Sequence, residues 1–205
     1  YSGSELNKKY NDFINNLYLI KKDNTLGINK FMDFSPEDFK NHIGNGCTLS
    51  SKKSNKCKKF KNSSIDLPAS IDWRDHNVVT DVKNQGHCGS CWSFSSTGAL
   101  EGAWAVANSE LLELSEQQLM DCSISYGNLA CHGGLMDNSF EYAIDNGMCS
   151  EEEEPYDALL EKCGSCQTIA TFSECYDIPS GNQLLLKEAV AKQPVSVAIE
   201  ADTSV

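Results

Sequence analysis

Ten cysteines stand in 205 residues, and four of them fall in two copies of one tetrapeptide, Cys88-Gly-Ser-Cys91 and Cys163-Gly-Ser-Cys166. A cytosolic protein of this size keeps few thiols. Either several are paired in an oxidising compartment, or two Cys-x-x-Cys pairs hold a metal. A zinc site from Cys88, Cys91, Cys163 and Cys166 has acceptable pair spacing, but 71 residues separate the inner cysteines, far more than compact zinc modules use. A thioredoxin-like redox couple wants a preceding strand in a βαβ unit, which HNVVTDVKNQGH does not supply. On the sulfurs alone, zinc, redox chemistry and unrelated roles all stay open.

The chain is long enough to bury a core as one domain or two small ones. Its net charge of -12 conceals an asymmetry. Residues 1–65 hold twelve lysines against six acids, a net +6, whereas residues 66–205 hold five basic residues against 23 acids, a net -18. Opposite signs on adjacent segments suggest that one docks on the other; a solvated basic tail beside an acidic domain is the plainer account. No apolar run is long enough to cross a membrane, and no signal-peptide pattern opens the chain.

Residues 5–23 read as an amphipathic helix, with Leu6, Tyr10, Phe13, Leu17 and Ile20 on one face. Ser35-Pro36-Glu37-Asp38 predicts a helix start, and residues 44–64 predict an exposed, lysine-rich linker open to proteolysis. Asn62-Ser63-Ser64 is a glycosylation sequon. Cys91 to Asn108 has the length and small-residue content of a buried helix. Ser115-Glu116-Gln117-Gln118 is a capping box opening a helix that ends near Cys122. Residues 134–146 form another helical stretch stopped by Asn146-Gly147, Glu151 to Glu154 a solvated turn, and Leu184 to Lys192 a short helix. PVSVAIEA alternates like a strand.

Cys91 sits where a glycine-rich polar loop gives way to a helix. Unpaired N–H groups and the positive end of the helix dipole favour its thiolate, which is the nucleophilic form. Six residues earlier, Gln85 offers a side-chain amide able to donate to a developing oxyanion beside the Cys91 N–H. Such a pair suits acyl transfer, and redox chemistry would not need the glutamine.

VKNQGHCGSCWSF resembles the active-site segment of papain-like cysteine proteases, whose pattern is C-G-[SA]-C-[WY]. LPASIDWRDHNVVTDV is similar to that family's mature N-terminus, and LSEQQLMDC, CHGGLMD and QPVSVAIEA to further signatures. Glu5, Lys9, Phe13, Asn16, Ile20 and Asn24 follow the interspersed motif of the family's propeptides, with lysine where arginine is usual. Gly27, Asn29, Phe31 and Asp33 follow a second propeptide motif. The resemblance implies an α+β papain-like fold of two half-domains, truncated here. It would have a partial inhibitory propeptide at residues 1–65 and a partial catalytic domain at 66–205, mainly helical over 66–175 with the β half starting at 176–205.

The resemblance further implies Cys91 as nucleophile and Gln85 as oxyanion donor. Gly133 and Gly134 would offer backbone to an extended substrate, and Leu135, Met136 and Ala198 would line an apolar specificity pocket, more like cathepsin L than cathepsin B. Cys88 would bond Cys131 and Cys122 would bond Cys163. Of the remaining cysteines, Cys149 is expected to bond Cys166, and Cys175 to pair beyond the chain or stay unpaired. The catalytic histidine and asparagine lie roughly 130–150 residues after the cysteine in this family, past Val205, so the chain as given is expected not to turn over substrate. The four histidines are at 42, 76, 87 and 132, and His87 reads as an ordinary loop residue. A non-catalytic relative and a stand-alone propeptide-type inhibitor are the competing classes. The implied product is a thiol endopeptidase made as a zymogen, without metal or cofactor, and monomeric. It would act on polypeptides, be inhibited by its own propeptide and by cystatin-type proteins, bind no nucleic acid, and reside in a lysosome or vacuole or be secreted. Its activation would follow loss of propeptide attraction as pH falls toward about 4.

Overall fold

Helix starts and stops written in the sequence reappear as backbone geometry in the computed structural model, which describes residues 2–43, 56–61 and 66–199. The chain divides into two compact units, one of residues 1–43 with 199–205 and one of residues 44–198. Most of the predicted linker and the sequon lie outside the described residues.

The first unit holds α1 (Gly3–Lys22) and α2 (Pro36–Ile43). At the head of α1, Glu5 reaches back to accept from the Ser2 N–H (3.2 Å). At α2, Ser35 Oγ accepts from the Asp38 N–H and Asp38 accepts from the Ser35 N–H, both at 3.1 Å, a reciprocal capping box. Almost nothing in this unit is buried; Met32 alone among its described residues is. Polar ties substitute for a core. The Asn16 amide donates to the carbonyls of Met32 and Phe34, each at 2.9 Å. Lys9 pairs with Asp38 at 3.1 Å and lies over the Phe34 ring. Phe31 meets Phe34 and Phe39 edge-on, with ring centroids 5.3 Å apart.

The second unit contains α3 (Cys91–Asn108), α4 (Glu116–Cys122), α5 (Met136–Asn146) and α6 (Gln183–Val190). Its core gathers Trp92, Leu100, Leu114, Leu119, Met120, Tyr142, Ala143 and Met148, with α3 packed on both α4 and α5. The α3 sequence carries one charge, Glu101, and otherwise small or apolar residues, as burial on several sides demands. Ser115 caps α4 by accepting from the Gln118 N–H (2.9 Å), and its hydroxyl donates to the Glu154 carbonyl (2.6 Å). Trp73 Nε1 donates to the Val190 carbonyl at 2.7 Å, tying the segment before α3 to α6.

Strand is scarce. β1 (Lys58–Lys59) pairs in parallel with β2 (Tyr176–Asp177), and these two make the one sheet among the described residues. PVSVAIEA does not form the predicted strand over its described part, 194–199, because no neighbouring strand there completes a ladder. Side chains hold it instead: Ser95 Oγ donates to the Val197 carbonyl and Ser196 Oγ to the Ser95 carbonyl. The glutamate run is also more than a solvated turn. Glu151 accepts from the Tyr156 N–H (2.8 Å), Glu153 from the Gln167 N–H (3.0 Å), and Glu154 is half-buried.

Among the described residues, four disulfides close the second unit: Cys57–Cys175, Cys88–Cys131, Cys122–Cys163 and Cys149–Cys166. The expectation for Cys175 is overturned. It bonds Cys57, with the two Cα atoms 4.6 Å apart, because the β1–β2 pairing brings residues 118 positions apart side by side. Cys47 lies outside the described residues.

Candidate active site

Cys91 is the first residue of α3 and, among the described residues, the one cysteine outside a disulfide. Two chain segments build the ground around it. The loop before it is bound to the 128–134 loop by the Cys88–Cys131 disulfide and by the Gly89 N–H donating to the Cys131 carbonyl at 3.0 Å. Trp92, fully buried, packs toward the 128–134 loop and donates from Nε1 to the Ala130 carbonyl at 3.1 Å. The indole therefore anchors the first turn of α3 while its neighbour Cys91 stays part-exposed.

The Gln85 amide donates to the Cys88 carbonyl at 2.8 Å. That bond closes the 85–88 segment on itself and uses one of the two amide hydrogens. Tyr156 secures the loop before Cys91 at Gln85 and at Ser90. Its hydroxyl donates to the Gln85 carbonyl (2.7 Å) and meets Ser90 Oγ (2.6 Å), while its ring stands edge-on to Phe94 at 4.7 Å. Burial pushes the Tyr156 phenol up, against the pull of its Ser90 bond, so it stays a hydrogen-bond donor. Sequence reasoning missed Tyr156. Its position, 65 residues after Cys91, carries no local signal.

Gly133 and Gly134 differ in what they leave open. Gly133 sits at φ 108°, a region that favours glycine, and spends both backbone groups internally. Its N–H donates to the Ala130 carbonyl (3.3 Å) and its carbonyl accepts from the Leu129 N–H (2.8 Å). Gly134 makes no such bond among the described residues, but it has no room for a side chain. A Cβ there would lie 2.6 Å from Trp92 Cδ2 and 2.7 Å from Asn128 Oδ1. Asn128, fully buried and also missed, organises the whole loop. It donates to Ser123 Oγ (2.8 Å) and Ser139 Oγ (3.2 Å) and accepts from the Leu135 N–H (2.9 Å).

Met136 and Ala198 line one cavity of about 580 Å³, together with Phe60, Ala99, Phe140 and Phe172. Leu135 is not among its lining residues. In the first unit, Lys9, Asn16, Asn29 and Phe31 serve internal ties, Asn29 Oδ1 accepting from the Phe31 N–H at 2.8 Å. Glu5 caps α1, and Phe13, Ile20 and Asp33 are half-buried, whereas Asn24 and Gly27 are exposed at the turn after the helix. His42 packs against Phe31 and Phe34, His76 against Trp73, and His87 is exposed.

Behind α3 lies a buried charge cluster that the sequence did not announce. Lys83 Nζ bonds Glu101 (3.0 Å) and Glu116 (2.8 Å). Glu101 also accepts from Thr80 Oγ1 and the Leu114 N–H, and Glu116 from Thr97 Oγ1. Burial pushes the Glu116 carboxyl up to about 7 despite Lys83 and Thr97. Burial alone would lower the lysine, but the two carboxylates outweigh it and hold the ammonium charged.

A part-exposed thiol heading a buried helix, with an amide-bearing loop leading into it, suits a cysteine-nucleophile site. The chain belongs to the papain family of cysteine proteases, whose family model matches residues 67–205. It is similar to a cathepsin L of Sarcophaga peregrina, 44% identical over 186 residues that cover 86% of this chain and 55% of the relative. A cathepsin L-like protein of Caenorhabditis elegans is 50% identical over 154 residues, covering 70% of this chain and 46% of the relative. The chain thus spans about half the length of these curated relatives. Among solved structures it resembles digestive procathepsin L 3 of the Tenebrio molitor larval midgut, with TM-score 0.82 and 40% identity, covering 94% of this chain and 66% of that one. The α+β fold is the one these proenzymes share.

Proposed function

We propose that the chain is part of the zymogen of a cathepsin-L-like endopeptidase, with residues 1–65 as propeptide and the remainder as catalytic domain. The Cys91 thiolate attacks the scissile carbonyl, and the resulting oxyanion is met by the Cys91 N–H and the Gln85 amide. Collapse expels the amine and leaves an acyl-enzyme on Cys91, which water then hydrolyses. Protonation of the leaving amine falls to a histidine that the family pattern places beyond residue 205, so the 205-residue chain by itself is not expected to turn over. The Gly134 backbone is the stronger of the two glycines for pairing with an extended substrate, since Gly133 is already engaged. Met136 and Ala198 give the specificity cavity an apolar wall that suits hydrophobic or aromatic side chains. The pairing of eight cysteines fits an oxidising compartment, hence secretion or a lysosome-like destination. The observation that carries this reading is Cys91, outside the disulfides of the described residues, at the start of α3 and directly after the loop that carries Gln85.

The complete protein tests it. Cys91→Ser should abolish peptide hydrolysis, and Gln85→Ala should lower kcat by roughly 10²–10³ with KM little changed, as for loss of one oxyanion donor. Retention of full activity by Cys91→Ser would exclude the assignment.

A further inference from the structure

The segment 56–61 stands on the propeptide side of residue 65 in sequence, yet it is built into the unit that carries Cys91. Cys57 is bonded to Cys175. The Lys58 N–H donates to the Cys175 carbonyl (2.9 Å) and the Phe60 N–H to the Asp177 carbonyl (2.8 Å), so the segment adds a strand beside Tyr176–Asp177. Its charges meet opposite ones: Lys56 pairs with Asp145 (2.6 Å) and Glu141 (3.5 Å), and Lys58 with Glu174. Phe60 stands edge-on to Tyr176 and lines the cavity that Met136 and Ala198 also line. Exposed ion pairs and a two-residue ladder would let go readily by themselves. The covalent bond changes that.

We propose that residues 56–61 form a disulfide-tethered arm, so that cutting the main chain on their C-terminal side does not free the propeptide, whose release requires a separate reductive step. This rests on the zymogen reading above. Hydrolysis of a peptide bond between residues 61 and 67 consumes one water and leaves a new carboxylate on the arm and a new amine on the catalytic chain, while the sulfur–sulfur bond persists. A dithiol reductant supplies the second step. One of its thiolates attacks Sγ of Cys57 or Cys175 and displaces the other cysteine as a thiolate, which takes up a proton. The second reductant thiol then resolves the mixed disulfide, so both cysteines end as thiols and the reductant as a disulfide. Until then the tether keeps the arm at high local concentration, and the ladder and ion pairs re-form after each opening. Phe60 stays in the cavity wall.

The other three disulfides join residues 17 to 43 positions apart and lie within residues 88–166, so none of them crosses the region of the cut. Cys57–Cys175, at a separation of 118, does.

The full-length protein, folded with its disulfides intact, decides the matter. Mass spectrometry of the unreduced, proteolysed protein should find the Cys57 peptide joined to the Cys175 peptide. Finding Cys57 joined to Cys47, or open to alkylation, overturns the proposal. After acid processing, the fragment containing residues 56–61 should migrate with the catalytic chain on a non-reducing gel and leave it when dithiothreitol is added. Separation without reductant overturns it. A double variant, Cys57→Ser with Cys175→Ser, should shed the fragment without reductant. If the wild type is not processed at all, the zymogen reading fails, and the disulfide map still decides whether the tether exists.

Discussion

The Tyr156 hydroxyl touches both Ser90 and Gln85 and so spans the loop in front of the proposed nucleophile. Tyr156→Phe keeps the ring against Phe94 but removes both hydrogen bonds, at a cost of about 1–3 kcal/mol. Alkylation of Cys91 should become slower and its pH profile should shift, because the helix start and Gln85 are no longer held in register. An unchanged profile would mean that the tyrosine only packs. The Glu116 carboxyl offers a second test. Its pKa in the fold, about 7, lies above its ordinary value, so the folded state binds the proton more tightly than the unfolded chain does. The stability this contributes is fully present below about pH 4.5 and is lost as pH rises through about 7. Glu116→Gln should flatten the fall in Tm between about pH 5 and pH 8 relative to wild type. Parallel Tm curves for the two proteins would refute the assignment.

At the scale of elements, caps and loops matter more than helix propensity. Ser115→Ala deletes the bond from the Gln118 N–H and the one to the Glu154 carbonyl, so it should cost about 1–3 kcal/mol in thermal or urea unfolding. Gly134→Ala should be worse for function than for helix content. The added methyl meets the Trp92 ring and the Asn128 amide, neither of which can move without disturbing α3 or the 128–135 loop. Substrate affinity should fall even in protein that remains folded, and a normal KM would show that the loop adapts. The sequence was a good guide to these elements. α2 and α4 begin at the caps it predicted and α3 at Cys91 as expected, whereas α1 starts at Gly3 rather than residue 5, and α5 starts two residues late because Gly134 belongs to the loop. PVSVAIEA misled, since alternation states which residues face which way but not whether a partner strand is adjacent.

For the whole molecule, charge and covalent bonds act together. Lys56 holds the Asp145 carboxyl below its ordinary value, and Lys58 does the same for Glu174. Groups with lowered values give stabilisation that is present above the usual carboxylate range and lost as pH falls through the lowered values. These two contacts therefore persist at mild acidity, and acid alone near pH 5 should not detach the arm, in line with a need for reduction. The Cys57–Cys175 bond also closes a long loop, and loss of it by double serine substitution should lower the stability of the second unit by about 2–5 kcal/mol in urea unfolding. An unchanged unfolding midpoint would show that the closed loop contributes nothing.

By itself the sequence determined most of the helices, the thiol at a helix start and the glutamine proposed to act with it, because these depend on neighbours a few residues apart: caps, spacing and a short motif. Only the tertiary structure decided that Cys57 meets Cys175, that Tyr156 and Asn128 brace the site, and that Lys83, Glu101 and Glu116 share one buried cluster. Each of those contacts joins residues far apart in the chain, and its energy depends on burial and distance, which no local pattern encodes. The two Cys-Gly-Ser-Cys copies show the division plainly. Their letters are identical, yet one sulfur of the four, Cys91, lies outside a disulfide, and packing selected it.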